Sequence, residues 1–185
     1  MGIQNNINAM LGTAAAAATM SKHISEQSKA VEEQKKTNEV KAAETEVEAA
    51  EVSEEMKQIR GKLTNQSVKL INDVIQGDPA STLAWDQATK EGATGENFTD
   101  KALEEKSNYE RHKFLRARDD FKNYEGNDKE MIEILNKNIE MGEKAYKSSL
   151  DVIEARRKYK FDYDQKKKEL DILNRKIEIL KGGKR

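Results

Sequence analysis

The sequence predicts an all-α protein, built from long helical hairpin or coiled-coil arms with a cap of short helices and oligomeric when assembled. Only one of its 185 residues is proline, the residue that most often interrupts helices. Charged residues of both signs make up 36% of the chain and aromatic residues 5%, a composition that suits solvated helix faces better than a thick core. Apolar residues also recur at heptad spacing towards both ends.

Composition divides the chain into five segments. Residues 1–21 carry no charged side chain and are rich in alanine, and residues 22–75 are predicted to form a long coiled-coil arm. Residues 76–127 are predicted as a short-helix connector or cap, residues 128–181 as a second long arm, and residues 182–185 as a basic tail.

The N-terminal segment has a small, smooth apolar surface. An uninterrupted alanine run forms helix readily and lets another backbone approach closely. Three interpretations follow, which are close packing against a neighbouring subunit, contact with a membrane at a later stage, and fraying disorder. The apolar part is about half as long as a membrane span requires. The residues concerned are Met10, Leu11, Ala14, Ala15, Ala16, Ala17, Ala18 and Met20.

The first arm carries a heptad pattern, called the seam below. Positions from Ile24 to Ile59 recur every seven residues, and each has a partner four residues later, ending at Leu63. Such spacing keeps one stripe facing a partner helix. The second arm shows the same pattern most clearly near its end. The predicted seam residues are Ile24, Val31, Val52, Met56, Ile59, Leu63, Tyr163, Leu170, Leu173, Ile177 and Leu180.

The connector contains strong helix stop and start signals. Gly77 is predicted to end the first arm, and Asp78 followed by Pro79 is predicted to begin a short helix that ends near Gly92. Another amphipathic helix is predicted from about residue 100 to residue 124. Asn127 with Glu130 resembles a capping box at the start of the last helix.

The two arms have the same length, 54 residues each. Equal arms joined by a cap allow antiparallel pairing with the ends in register. Residues 44–55, rich in glutamate, would then face residues 148–159, which include Arg156 and Arg157. Pairing within one chain and pairing between subunits use the same residues, so the pattern leaves both arrangements open.

No motif for catalysis or metal binding is present. The chain has no cysteine, and His23 and His112 stand apart from any carboxylate cluster with metal-ligand spacing. No nucleophile elbow, phosphate-binding loop or dinucleotide fingerprint occurs. The sequence therefore predicts a non-enzymatic protein with no catalytic residue, no metal or cofactor site and no small-molecule substrate.

The C-terminal arm is basic. Residues 156–185 contain 12 basic and 5 acidic residues. This charge suits a solvated face, an acidic partner helix or the phosphate backbone of nucleic acid. The candidate contacts for an acidic partner or DNA are Arg156, Arg157, Lys158, Lys166, Lys167, Lys168, Arg175 and Lys176.

Residues 1–60 begin with an uncharged, Ala-rich segment, GIQNNINAMLGTAAAAATM, followed by a helix rich in Gln, Ala and Glu. This layout resembles the small internal virion, or ejection, proteins of short-tailed phages and the cargo proteins in the tails of crAss-like phages. The resemblance implies a homo-oligomeric structural protein, made in the host cytoplasm and stored in the capsid or tail beside other virion, portal or tail proteins. Such a protein leaves with the genome and helps it across the host envelope, with transient membrane contact.

Two other functions fit the same residues. One is a coiled-coil scaffold for capsid assembly, or an adaptor, which would be absent from the finished particle. The other is a helical protein that binds the nucleic-acid backbone, including the genome, through the basic arm.

Overall fold

The computed structural model describes the backbone of residues 2–182 and the side chains of residue 20, residues 22–95 and residues 97–182. It confirms the all-α class: the described residues form four helices and no strand. They are α1 (Gly2–Ile75), α2 (Pro79–Lys90), α3 (Gly95–Lys122) and α4 (Lys129–Leu180). Helix α1 passes the expected boundary at residues 21 and 22 without a break.

The predicted end of α1 and the predicted start of α2 are confirmed, whereas α3 begins at Gly95, about five residues earlier than predicted. Gly77 follows α1 with a φ of 77°, a left-handed conformation that glycine adopts without strain. Asp78 caps α2 by accepting a hydrogen bond from the backbone N–H of Ser81 at 2.9 Å, and Pro79 occupies the first helical position. At α4 the cap differs by one residue, because Asp128, and not Asn127, accepts from the N–H of Glu130.

The chain forms two compact units, and they divide it differently from the predicted segments. Unit 1 comprises Met1–Ser53 and Glu169–Arg185, and unit 2 comprises Glu54–Lys168. The expected connector, residues 76–127, thus belongs to one unit with parts of both arms.

Unit 2 has its core where α1, α2, α3 and α4 meet. Leu70 of α1, Ala88 of α2 and Leu103 of α3 are buried together, and Val152 and Ile153 of α4 pack against them. Trp85 of α2 meets the ring of Phe98 edge-on, with 4.5 Å between ring centroids. Because Trp85 is the only tryptophan in the chain, its fluorescence reports on the folding of this unit.

Helix α3 lies antiparallel along α4 in unit 2, and three contacts seven residues apart define the register. Gly142 lies against Phe114, since a Cβ added to Gly142 would be 3.1 Å from the Cα of Phe114. The hydroxyl of Ser149 donates a hydrogen bond to the hydroxyl of Ser107 at 3.0 Å. Arg156 forms an ion pair with Asp100. These three α4 residues interrupt the apolar seam in the sequence. In the structure they form the contact with α3.

Helix α1 is also antiparallel to α4 within unit 2, but the register expected from equal arms is wrong. The side chain of Gln66 donates a hydrogen bond to the carbonyl of Val152 at 3.3 Å. The ammonium of Lys62 lies 5.4 Å from the ring centroid of Tyr159. Glu55 forms an ion pair with Lys166 at 2.7 Å. The end-to-end register would instead have placed Glu55 opposite residue 148. Helix α3 contacts α4 from Gly142 to Lys160, whereas these α1 contacts run from Val152 to Lys166, so α1 pairs with a later part of α4.

The close approach at Gly142 gives a first prediction. Gly142→Ala should lower the free energy of unfolding by about 1 kcal/mol, because an added methyl group meets the α3 backbone in a packed interface. Gly61→Ala is the matched control. Gly61 lies inside α1 with no atom within 4 Å of an added Cβ, so alanine there should stabilise by up to about 1 kcal/mol. Urea unfolding followed by Trp85 fluorescence measures both, and equal effects would contradict the prediction.

Candidate functional site

In unit 1, one face of α1 is buried and contacts α4. Ala42, Thr45, Ala49 and Val52 alternate three and four residues apart and are 8% exposed or less. Ala49 and Val52 form a cluster with Leu173, and Leu170 and Ile177 pack against it. The buried Thr45 hydroxyl is satisfied, since it donates to the carbonyl of Lys41 at 2.8 Å. Glu46 forms an ion pair with Lys181 beside this face.

The predicted seam residues fall into three groups. Val52 and Leu173 are buried together in unit 1, whereas Ile24 and Val31 are 67% and 65% exposed. The half-buried residues are Met56, Ile59, Leu63 and Tyr163 in unit 2, and Leu170, Ile177 and Leu180 in unit 1.

The seam therefore continues beyond the part of α1 that is covered. All side chains from residue 22 to residue 37 are exposed, although Ile24 and Val31 lie on the same heptad positions as the buried Thr45 and Val52. Met20 is also exposed, at 71%. Apolar side chains at seam positions of a long helix gain stability from a partner helix, because isolated helices are marginal in water. This stretch, residues 20–37, whose described side chains are all exposed, is the candidate assembly surface.

The candidate membrane segment falls mostly outside the side chains that the structure describes. Of its residues, Met20 alone has a described side chain, which is exposed, and those of Met10, Leu11 and Ala14 to Ala18 lie outside the described set. Among the described residues, no helix has the length and apolar character to cross a bilayer.

The candidate basic contacts separate into residues engaged within the chain and residues facing solvent. Arg156 is buried, pairs with Asp100 and donates to the carbonyl of Leu63 at 3.2 Å. Arg157 lies 3.5 Å from Glu104, and Lys166 pairs with Glu55. The exposed residues without an ion pair to a described residue are Lys158, Lys167 and Lys168 in unit 2, and Arg175 and Lys176 in unit 1.

The ion pair between Asp100 and Arg156 was missed by reasoning from the sequence, and a third residue joins it. The second carboxylate oxygen of Asp100 accepts from Lys160. Partial burial by itself would raise the pKa of Asp100, but hydrogen bonds from Lys160 and Arg156, with their positive charges, outweigh it. The pKa of Asp100 is therefore lowered. The buried guanidinium thus has an ionised partner at neutral pH.

A second polar group, also unanticipated, joins the α1–α2 turn to α3. The ammonium of Lys106 lies 3.0 Å from Asp73, 3.2 Å from Asp78 and 2.7 Å from the hydroxyl of Ser81. Burial opposes the charged form of Lys106, but hydrogen bonds to the two carboxylates outweigh this effect and raise its pKa. For Asp78, the hydrogen bonds from Ser81 and Lys106 outweigh partial burial and lower the pKa.

Beside this group lies a cavity of about 420 Å³ between α1, α3 and α4 of unit 2. Gln66 and Glu110 line it, and each has a buried oxygen without a hydrogen-bond partner in the described structure. A cavity of this size with unpartnered polar atoms in its wall accommodates water molecules, which can donate to both oxygens. Among the described residues, no group of three His, Cys, Asp or Glu side chains is arranged to hold a metal ion.

Comparisons with known proteins give no relative: no family model, no curated protein and no solved structure matches the chain.

Proposed function

We propose that this chain is a non-enzymatic structural protein of a phage particle, a helical cargo or ejection component that assembles with copies of itself. Stored in the capsid or tail, it leaves with the genome and assists passage across the host envelope. The phage assignment rests on the pattern of residues 1–60, an uncharged alanine-rich segment joined to a long polar helix.

The observation that carries self-assembly is the uncovered part of the seam. Ile24 and Val31 repeat the heptad position of Thr45 and Val52, yet about two thirds of each side chain is exposed to water. Burying one aliphatic side chain stabilises by about 1.5–3 kcal/mol, so two such residues on each helix contribute substantially when another helix covers them. A second copy supplies a helix with the same seam.

Disrupting this surface should weaken assembly. Ile24→Glu combined with Val31→Glu places charge at two seam positions and should raise the concentration needed for the largest oligomer by tenfold or more. Native mass spectrometry across a dilution series measures the change. Val68→Glu is the control, since Val68 is an exposed α1 residue off the seam. Unchanged oligomers in the double variant, with helix content preserved by circular dichroism, would contradict this role.

The place of the protein in the phage life cycle needs a different measurement. Mass spectrometry of purified particles should detect the chain among the internal proteins. A capsid-assembly scaffold would be present in immature particles and absent from mature ones, so that result would replace the ejection role with the scaffold role.

Nucleic-acid binding through α4 is the weaker alternative. Five of the eight candidate basic residues are exposed without an ion pair to a described residue, which favours phosphate contact. However, Arg156, Arg157 and Lys166 are engaged by carboxylates of the same chain. These three pairs reduce the charge that α4 offers to phosphates.

A further inference from the structure

Helix α1 of unit 1 carries a second apolar stripe, on the side away from its buried face. Val40, Ala43, Val47 and Ala50 alternate three and four residues apart, and all four are exposed. At 100° per residue, the centre of this set lies about 160° around the helix from that of Ala42, Thr45, Ala49 and Val52. In a helix that pairs through a single seam, this outer side is normally polar. These four residues are called the α1 outer stripe.

Helix α4 of unit 1 has an equivalent feature. Ile172 and Ile179 are seven residues apart and each is 66% exposed. They lie on a different side of α4 from Leu173 and Ile177, which pack towards α1. Ile172 and Ile179 are called the α4 outer stripe. Each helix of unit 1 therefore presents aliphatic side chains both to its partner and to solvent.

The two outer stripes have opposite charge at their borders. Glu39, Glu44 and Glu51 flank the α1 outer stripe, and all three are exposed with no ion pair to a described residue. Arg175 and Lys176 flank the α4 outer stripe and are exposed without an ion pair in the same way. Opposite charges beside apolar stripes favour one pairing of helices and disfavour others.

The outer stripes cannot meet within one chain. In unit 1, α1 and α4 already contact each other through Ala49, Val52 and Leu173, and both outer stripes point away from that contact. Pairing two α1 outer stripes would bring glutamates together, and pairing two α4 outer stripes would bring Arg175 and Lys176 together. Like charges across an interface are unfavourable.

We propose that the α1 outer stripe of one copy packs against the α4 outer stripe of a neighbouring copy. This inference rests on the proposed self-assembly and names a second surface for it, distinct from residues 20–37. The contact joins two different surfaces of identical chains, so each copy has one of each to offer. A contact of this type closes into a ring or extends as a filament, depending on the rotation between neighbours.

The test separates this contact from the first assembly surface. All variants carry Ile24→Glu and Val31→Glu, so that association depends on the outer stripes. One variant adds Val40→Gln and Val47→Gln, and the other adds Ile172→Gln and Ile179→Gln. Glutamine is a good helix former and carries no charge, so it removes apolar surface while preserving the helix and the neighbouring charges.

The expected mass differs between each glutamine variant alone and a mixture of the two variants. The parent with only the residue 24 and 31 changes should still associate, and each glutamine variant alone should have the mass of one chain. An equal mixture of the two should give a species of twice that mass, because one intact α1 outer stripe meets one intact α4 outer stripe. Raising the salt concentration should weaken this dimer.

Three results would overturn the proposal. They are a parent that is already monomeric, a mixture that stays monomeric, and a glutamine variant that still dimerises by itself, which indicates pairing of like stripes. Val68→Gln in the parent background should leave the mass unchanged. Assembly through residues 20–37 is tested separately, with changes only at Ile24 and Val31. Each proposed surface can therefore be disproved without disproving the other.

Discussion

Asp100→Ala should lower the free energy of unfolding of unit 2 by about 3 kcal/mol. Only 7% of the Arg156 side chain is exposed, and Asp100 is the carboxylate that balances its charge. Removing one partner of a buried ion pair costs about 3–5 kcal/mol, and the lower end applies here because 30% of the Asp100 side chain is exposed. Urea unfolding followed by Trp85 fluorescence measures the loss.

Two further variants separate the charge from the hydrogen bonds. Asp100→Asn keeps an acceptor oxygen but loses the charge, so it should cost less than alanine. Asp100→Leu combined with Arg156→Met removes both charges and should recover most of the stability, because apolar replacements for a buried pair are often neutral. If Asp100→Ala costs less than 1 kcal/mol, the guanidinium has another adequate partner and this account of the pair is wrong.

The lowered pKa of Asp100 predicts how the free energy of unfolding of unit 2 depends on pH. Because folding lowers the pKa of Asp100, its stabilisation is complete above the ordinary aspartate pKa of about 3.9 and is lost as the pH falls through the lower pKa of the folded state. Asp78 contributes in the same direction. Asp100→Ala should therefore make unfolding below about pH 4 less dependent on pH. Lys106 has a raised pKa, so its contribution is lost only in strong alkali.

Local signals in the sequence were sufficient for the helices but not for their register. A glycine, an aspartate and a proline at residues 77–79 determine where α1 ends and α2 begins, because each acts through its own backbone or its nearest neighbours. Likewise, heptad spacing marks the face of α1 that is buried from Ala42 to Val52. These properties depend on residues close together in the chain.

The register between α1 and α4 could not be predicted from the equal lengths of the arms, because α4 also pairs with α3. Gly142, Ser149 and Arg156 appear as weak points in an apolar seam when α4 is considered alone. Their roles become visible only opposite Phe114, Ser107 and Asp100, at the same seven-residue spacing. A close backbone approach, a hydroxyl pair and an ion pair are properties of two helices, and the pattern of one helix does not contain them.

The exposed apolar residues of unit 1 are likewise not explained by the pattern of a single helix. Val40, Val47, Ile172 and Ile179 have no role in the contact between α1 and α4 of a single chain. Their heptad spacing and the opposite charges beside them gain a physical reason when a second copy is considered. The buried polar groups of unit 2 stabilise the chain itself, whereas unit 1 exposes apolar side chains that the proposed contact between copies would cover.

Leu70→Ala should lower the free energy of unfolding of unit 2 by about 3 kcal/mol. Leu70 is 2% exposed and belongs to the cluster with Ala88 and Leu103 that joins α1, α2 and α3. Truncating a buried leucine costs 2–5 kcal/mol, through lost burial and the cavity left behind. Here the new space adjoins the existing cavity of about 420 Å³, which Leu70 lines, so the truncation enlarges that cavity.

Leu83→Ala is the matched control for this loss. Leu83 lies on α2 of the same unit, but its side chain is 53% exposed, so truncation should change the free energy of unfolding by about 0.5 kcal/mol or less. Both variants are compared by urea unfolding with Trp85 fluorescence. The oligomer mass should be unchanged in both under native conditions, because the proposed assembly surfaces belong to unit 1. Similar losses for the two leucines would mean that the three helices are not held together at Leu70.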